Sequence, residues 1–202
     1  AQYAKDGVFD YGGRRGESLP KITNGECAMW MNSSAYYASM VDQAQFEFGQ
    51  GQLPYHADVA GAPQNSIIGG ATLWVLQGHE SPEYKGVAEF FKYLSSAEVQ
   101  ADWHQATGYV PITTGAYDLS KEQGFYESNP GTDTAIVQLS LNQPTPNSRG
   151  LRFGNFVQIR DIINEEMEAI WSGQKTAAQG LADAQRRGND LLRQFEADNT
   201  GG

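Results

Sequence analysis

The stretch over 66–115 constrains the fold of this chain more than any other part of it. Its opening run predicts a β-strand over 66–77 that begins with paired glycines. Gly69 and Gly70 stand near the start of that strand, and a backbone or a ligand can approach them closely because neither carries a Cβ atom. A helix is expected to cover the strand, and a turn then leaves Tyr109 at the exit of the unit. This order contains no catalytic signature and favours a ligand-binding unit over an enzyme.

Capping residues and apolar spacing predict the other elements. Pro82 is tolerated in the first turn of a helix, and Ser95 followed by Glu98 matches a capping box. Apolar residues recur every three or four positions over 155–171. We therefore predict helices over 35–46, 81–94, 95–105, 118–123, 134–141, 155–171 and 176–195. The remaining predictions are a buried strand, two loops and a frayed polar tail, over 27–31, 1–19, 142–149 and 197–202 respectively.

The charge balance excludes several partners. The chain carries a net charge of −10 at neutral pH, whereas nucleic acids and anionic membrane surfaces both require a basic face. A small anionic ligand remains compatible, because one arginine in a partly dry cleft outweighs carboxylates that salt screens beyond about 10 Å. The three histidines have no Cys or carboxylate at ligand spacing, so we expect no metal site and no other cofactor.

Three residues of the first 110 are candidates for ligand contact, and each has a structural alternative. Ser33 follows a predicted strand and opens a helix, where its hydroxyl and the free N–H groups suit an anion or form a plain N-cap. Ser34 is the alternate for this role. Gly70 offers a bare backbone N–H or marks a β-bulge. Tyr109 can donate its phenolic O–H to an anion or pack as a half-buried ring.

Arg160 is the fourth candidate. It lies about one turn inside the helix predicted over 155–171, beside an apolar stripe, where an arginine either snorkels at the surface or reaches a ligand. Arg149 and Arg152 are its competitors. The other paired charges are predicted to be solvated surface groups: Arg14 with Arg15, Arg186 with Arg187, and Glu165, Glu166 and Glu168.

Three segments in a fixed order resemble one family: Ile22–Tyr37, 66–115, and Ile170–Gly173 followed by a helix. They resemble the large solute-binding proteins of bacterial ABC importers, the class that includes the maltose-binding protein. Within this class the chain is similar to the members that bind sn-glycerol-3-phosphate. The resemblance covers essentially the whole chain. Since family members are usually much longer, it implies a carboxy-terminal half whose amino-terminal half is missing or forms a separate chain.

The resemblance implies an α/β, periplasmic-binding-protein-like (type II) two-lobed fold, of which this chain is about half. Residues 1–63 and 116–202 would belong to the carboxy-terminal lobe, and residues 64–115 would cross into the amino-terminal lobe. The two hinge crossings are expected at Gly61–Pro63 and Thr113–Gly115.

The resemblance also implies a function. A protein of this class is not an enzyme; it would capture sn-glycerol-3-phosphate, or glycerophosphodiesters, in the periplasm by hinge closure and deliver the ligand to the membrane permease. The family pattern places Ser33, Gly70 and Tyr109 at the cleft and makes Arg160 the principal phosphate clamp. Two alternatives stay open, an oligosaccharide-binding protein of the same class and a phosphodiester hydrolase.

Overall fold

The computed structural model describes residues 1–146 and 148–200. Its regular elements are a 3₁₀ helix over Ser34–Tyr36 and the helices α1 Gln2–Lys5, α2 Leu19–Thr23, α3 Tyr37–Gln43, α4 Ser81–Leu94, α5 Ala97–Thr107, α6 Thr114–Glu122, α7 Phe125–Ser128, α8 Thr134–Leu139, α9 Phe156–Trp171 and α10 Ala177–Asn199. None of these helices is long and apolar enough to span a bilayer. Within the predicted loop and tail, Asn147, Gly201 and Gly202 lie outside the described residues.

Helix boundaries follow the capping chemistry. α4 spans Ser81–Leu94 as predicted, because the side chains of Glu80 and Glu83 cap each other's backbone N–H groups and Pro82 falls in the first turn. The start of α5 differs from the prediction: Ser96, not Ser95, is the N-cap, and its hydroxyl accepts from the N–H of Val99. α6 begins four residues earlier than predicted, because the hydroxyl of Thr113 caps it.

The two segments predicted as strands contain no strand in the part of the chain that the structure describes. Over 27–31 the predicted burial is also wrong, since Met29 is 87% exposed and Met31 68% exposed. The segment over 66–77 is likewise exposed, with Trp74 at 85%. A strand exists only where a neighbour exchanges backbone hydrogen bonds with it, and apolar composition by itself does not supply that neighbour.

The chain divides into two compact units, which we call the terminal unit (1–21 with 151–200) and the central unit (Ile22–Gly150). In the terminal unit α9 packs along α10, and the buried residues Ile159, Ile162 and Ile170 form its apolar stripe as predicted. Two glycines of α10 allow the close approach. A Cβ atom on Gly180 would lie 2.6 Å from the side chain of Ile170, and one on Gly188 would lie 3.6 Å from that of Ile159.

Ion pairs stabilise the terminal unit, and the prediction of solvated charges is wrong for the buried Glu166 and for the half-buried Arg14–Glu168 pair. Glu166 is only 5% exposed and accepts from Lys175 at 2.5 Å and from Arg187 at 2.8 Å. Arg14 forms a bidentate pair with Glu168, at 2.6 and 2.7 Å. Periodicity shows which face of a helix is polar, but it does not reveal partners that other segments bring to that face.

The Arg14–Glu168 pair makes the terminal unit sensitive to acid. Hydrogen bonds from Arg14, and then from Tyr11, lower the pKa of Glu168 from 4.5 to about 2. A carboxyl group with a lowered folded pKa stabilises the fold above its unfolded pKa and loses that contribution as the pH falls through the folded value. We therefore expect stability to decline as the pH falls from 4.5 to about 2, and Glu168→Gln to weaken this decline.

Urea unfolding at a series of pH values measures this effect. Glu196→Gln is the matched control, because the Glu196 side chain is exposed and forms no ion pair with any described residue. A pH profile of Glu168→Gln that coincides with that of Glu196→Gln would contradict the assignment.

The core of the central unit lies between α5 and α6. Ala101 and Ala116 are completely buried, which lets the two helix backbones approach. His104 and Ser120 are the largest side chains that are fully buried in the described residues. Both are polar, so the hydrogen bonds that they make determine how this core is arranged.

Candidate functional site

Ser33 occupies the N-cap predicted for it. Its backbone is extended, and its Oγ accepts from the N–H of Ala35 at 3.3 Å, at the start of the 3₁₀ helix. The serine is exposed, and its backbone N–H donates to the carboxamide oxygen of Asn32 at 2.8 Å. Because Oγ acts as an acceptor within the turn, its O–H proton is free to donate to a ligand. Capping and ligand contact are therefore compatible at this residue.

Tyr109 lies in the loop that follows α5. Its side chain is 46% exposed, and its hydroxyl makes no hydrogen bond to any described residue. The backbone of the residue is held firmly by contrast: its N–H donates to Oγ1 of Thr107 at 3.2 Å, and its carbonyl lies 2.7 Å from Nδ1 of His104. A fixed backbone that presents a free phenol is the arrangement required of a ligand-contacting tyrosine.

Gly108 brings the serine turn and the tyrosine loop together. It ends α5 in the left-handed conformation, with φ +84°, and its N–H donates to the carbonyl of His104 at 2.8 Å. A Cβ atom at this position would collide with the backbone carbonyl of Ser34 and would lie 2.5 Å from Cβ of Tyr37. The backbone of residue 108 thus rests directly on the turn that Ser33 caps. The structure places the hydroxyls of Ser33 and Tyr109 on adjoining segments of one unit.

Gly70 stands apart from this contact. Its φ is +102°, and no described atom lies within 4 Å of the position that a Cβ would occupy. Its N–H donates to no described residue, so the bare amide that the sequence predicts is exposed. The structure does not bring Gly70 against the serine turn, and its role in a site stays a prediction.

Arg160 extends from the exposed side of α9. Its guanidinium carbon lies 5.8 Å from the ring centroid of Phe156, one turn earlier, and that ring packs edge-on against Phe153 at 5.0 Å. Among the described residues Arg160 has no carboxylate partner, and the same is true of Arg152. In an acidic chain, an arginine without a carboxylate partner is available to an anionic ligand.

The arginines Arg186 and Arg187, which were predicted to be surface charges and not ligand contacts, already form ion pairs with carboxylates. Arg187 pairs with Glu165 at 2.6 Å and with Glu166 at 2.8 Å, and Arg186 pairs with Asp183 at 3.1 Å. Arg160 belongs to the terminal unit, whereas Ser33, Gly70 and Tyr109 belong to the central unit. Their convergence on one ligand therefore remains a prediction.

Sequence reasoning missed Gly108 and His104. A glycine directly after a helix is a recognised C-cap signal, so the conformation of Gly108 could have been predicted, but its contact with Ser34 could not. Nothing in the sequence distinguishes His104 from a surface histidine. In the ranges 1–146 and 148–200, no group of three His, Cys, Asp or Glu side chains is arranged to hold a metal ion.

Residues 3–134 match the family described as bacterial extracellular solute-binding protein. Among individual relatives, the chain is 52% identical over 195 residues to the sn-glycerol-3-phosphate-binding periplasmic protein UgpB of Yersinia pseudotuberculosis. It is 53% identical over 192 residues to UgpB of Escherichia coli K12. These alignments cover 96% and 95% of this chain but only 44% of each relative, so the chain spans about half the length of these proteins.

The fold is also similar to a solved structure, that of UgpB from Mycobacterium tuberculosis in complex with glycerophosphocholine. The TM-score is 0.72 at 21% sequence identity, over 89% of this chain and 44% of the other. At this identity the likeness concerns the fold alone. It confirms the predicted periplasmic-binding-protein-like (type II) fold, of which the chain spans about half.

Proposed function

Because the chain belongs to the family of bacterial extracellular solute-binding proteins, we propose that it captures sn-glycerol-3-phosphate in the periplasm and delivers it to the permease of an ABC importer. The contact of Gly108 with the Ser34 turn carries the proposal, since it places the segment that carries Tyr109 against the turn that Ser33 caps. The names of the relatives from Yersinia and Escherichia support the choice of ligand.

The chemistry of the ligand fits these residues. A glycerol phosphate presents a doubly negative head, which needs a guanidinium, hydroxyl donors and backbone N–H groups. Arg160 supplies the guanidinium, Ser33 and Tyr109 the hydroxyls, and Gly70 the bare amide. The ring of Tyr109 also offers an apolar wall for the glycerol carbons. Glycerophosphodiesters share the same core and are proposed as second ligands, in line with the glycerophosphocholine of the Mycobacterium structure.

The lobe division is part of the proposal. We place 1–63 and 116–202 in the carboxy-terminal lobe and 64–115 in the amino-terminal one, with the missing half completing the latter. Helix α5 would then lie at the boundary between the lobes, because it packs against α6 and precedes the contact of Gly108 with Ser34. Helix α4 buries none of its residues within the described structure, and Phe90 is 53% exposed, which supports packing against another part of the protein.

The first crossing point is anchored on the carboxy-terminal side. Asn65 and Asn142 exchange hydrogen bonds, with the side chain of Asn65 donating to the carbonyl of Asn142 at 2.8 Å and accepting from its N–H at 2.7 Å. The side chain of Asn142 also donates to the carbonyl of Pro63 at 3.2 Å. An anchored segment at the point where the chain leaves one lobe suits a hinge that closes on a ligand.

A thermal-shift screen of the complete two-lobed protein tests the proposal. A ligand at 100 times its Kd stabilises the protein that binds it by about 2.7 kcal/mol, so sn-glycerol-3-phosphate should raise Tm clearly and oligosaccharides should not. A shift with oligosaccharides alone would favour the sugar-binding alternative. Hydrolysis of a chromogenic phosphodiester would favour the enzyme.

The 202-residue chain by itself is expected to bind weakly or not at all. A micromolar ligand requires about −8 kcal/mol, and the site reaches this only when an opposite wall excludes water. Titration calorimetry on the isolated chain measures this, and micromolar binding there would contradict the two-lobed site.

A further inference from the structure

We infer that His104 is a positioning residue for the ligand site, which holds the backbone of Tyr109 so that the phenol faces the ligand. This inference rests on the proposed function, because it assigns Tyr109 to the site. His104 itself is only 2% exposed, so we do not place it in contact with the ligand. Its effect would pass through the carbonyl of Tyr109, which lies 2.7 Å from Nδ1.

The hydrogen-bond partners determine the tautomer. The carbonyl of Tyr109 can only accept, so Nδ1 must carry the proton. Nε2 is then an acceptor, and the hydroxyl of Tyr126, at 3.1 Å, donates to it. One neutral imidazole therefore links the tyrosine loop to α7. The rings of Phe125 and Tyr126 pack against the imidazole, with centroids 5.8 and 5.7 Å away, and fix its plane.

The loop is held at two further points. The N–H of Gly108 donates to the carbonyl of His104, and the N–H of Tyr109 donates to Oγ1 of Thr107. The first bond is a helix cap that many sequences could make, and the second involves a half-buried threonine. The bond from the buried imidazole is the one that leads into the core, so it ties the loop to the rigid part of the unit.

The surroundings keep His104 neutral at neutral pH. Burial lowers the pKa of His104 below its usual 6.5, and this outweighs the opposing effects of the Tyr109 carbonyl and the carboxylate of Asp133. Burial also raises the pKa of Tyr126 to about 12, so that its hydroxyl keeps the proton it donates. The donor and acceptor roles are thus constant over the physiological range.

Two isosteric variants of the complete protein separate the two ring nitrogens. In His104→Asn the side-chain amide can occupy the place of Nδ1 and still donate to Tyr109, whereas in His104→Gln it occupies the place of Nε2. We expect His104→Gln to lower the affinity for sn-glycerol-3-phosphate about tenfold and His104→Asn to keep it within about threefold. Thr132→Val removes another buried hydroxyl of the same unit, one that donates to the carbonyl of Asn129 at 2.8 Å, so it is the control and should leave affinity unchanged. Calorimetry well below each Tm gives the Kd values.

A second measurement does not depend on the ligand. Hydrogen exchange of the peptide that contains Gly108 and Tyr109 should be faster in His104→Gln, by about tenfold, and near normal in His104→Asn. If the unaltered protein binds no glycerol phosphate, the proposed function fails while the exchange result still decides whether His104 holds the loop. Unchanged affinity and unchanged exchange in His104→Gln would overturn the inference and leave the proposed function standing.

Discussion

Arg160→Ala in the complete two-lobed protein is expected to abolish measurable binding of sn-glycerol-3-phosphate. A guanidinium that clamps a phosphate forms two charge-assisted hydrogen bonds, each of about 1.5–3 kcal/mol. Their loss removes at least about 3 kcal/mol, which weakens binding by a factor of 100 or more. The residue is suited to this role because no described carboxylate competes for it. Calorimetric titration measures the loss.

Arg187→Ala and Arg186→Ala are the matched controls. Both arginines already pair with carboxylates, so their removal should alter stability and leave affinity nearly unchanged. Arg187→Ala still leaves Lys175 to pair with the buried Glu166, which favours a folded variant. Equal losses of affinity for Arg160→Ala and Arg187→Ala would remove the assignment. Loss with Arg152→Ala alone would transfer the role to that competitor.

Gly108→Ala is expected to have the second large effect, on both stability and binding. At φ +84° an alanine costs about 1–2 kcal/mol in backbone strain. The new Cβ would also collide with the carbonyl of Ser34 and with Tyr37, which adds about 1–3 kcal/mol of overpacking. Relief of this collision moves the serine turn and the tyrosine loop apart. We therefore expect destabilisation by about 2–5 kcal/mol and weaker binding, measured by urea unfolding and calorimetry.

Gly25→Ala separates the strain from the collision. Gly25 lies in the same unit with φ +76°, and nothing lies within 4 Å of the position of its Cβ. This variant should show the backbone cost and no loss of affinity. If both variants lose stability equally and retain affinity, the contact between Gly108 and Ser34 does not shape the site.

The parts of the site that could be predicted are those that depend on residue type. The N-cap at Ser33 follows from a serine ahead of a helix, and the start of α4 follows from Pro82. The free phenol of Tyr109 and the unpaired guanidinium of Arg160 were predicted as candidates, and the structure leaves both side chains without a carboxylate partner among the described residues. The joint role of these residues in one site is still a prediction.

The sequence by itself determined the family and the longest helices, whereas the short helices α1, α2 and α7 were not predicted. Capping groups and apolar spacing act within a few residues along the chain, so the bounds of α4 and the buried stripe of α9 could be predicted from them. Only the tertiary structure decided that Gly108 rests on Ser34, that His104 holds Tyr109 and that Glu166 is buried between two cations. The contact of Gly108 with Ser34 joins residues far apart in the chain, and the burial of His104 and Glu166 depends on other helices that pack over them. No local pattern encodes them, because they form only when separate segments pack together and exclude water.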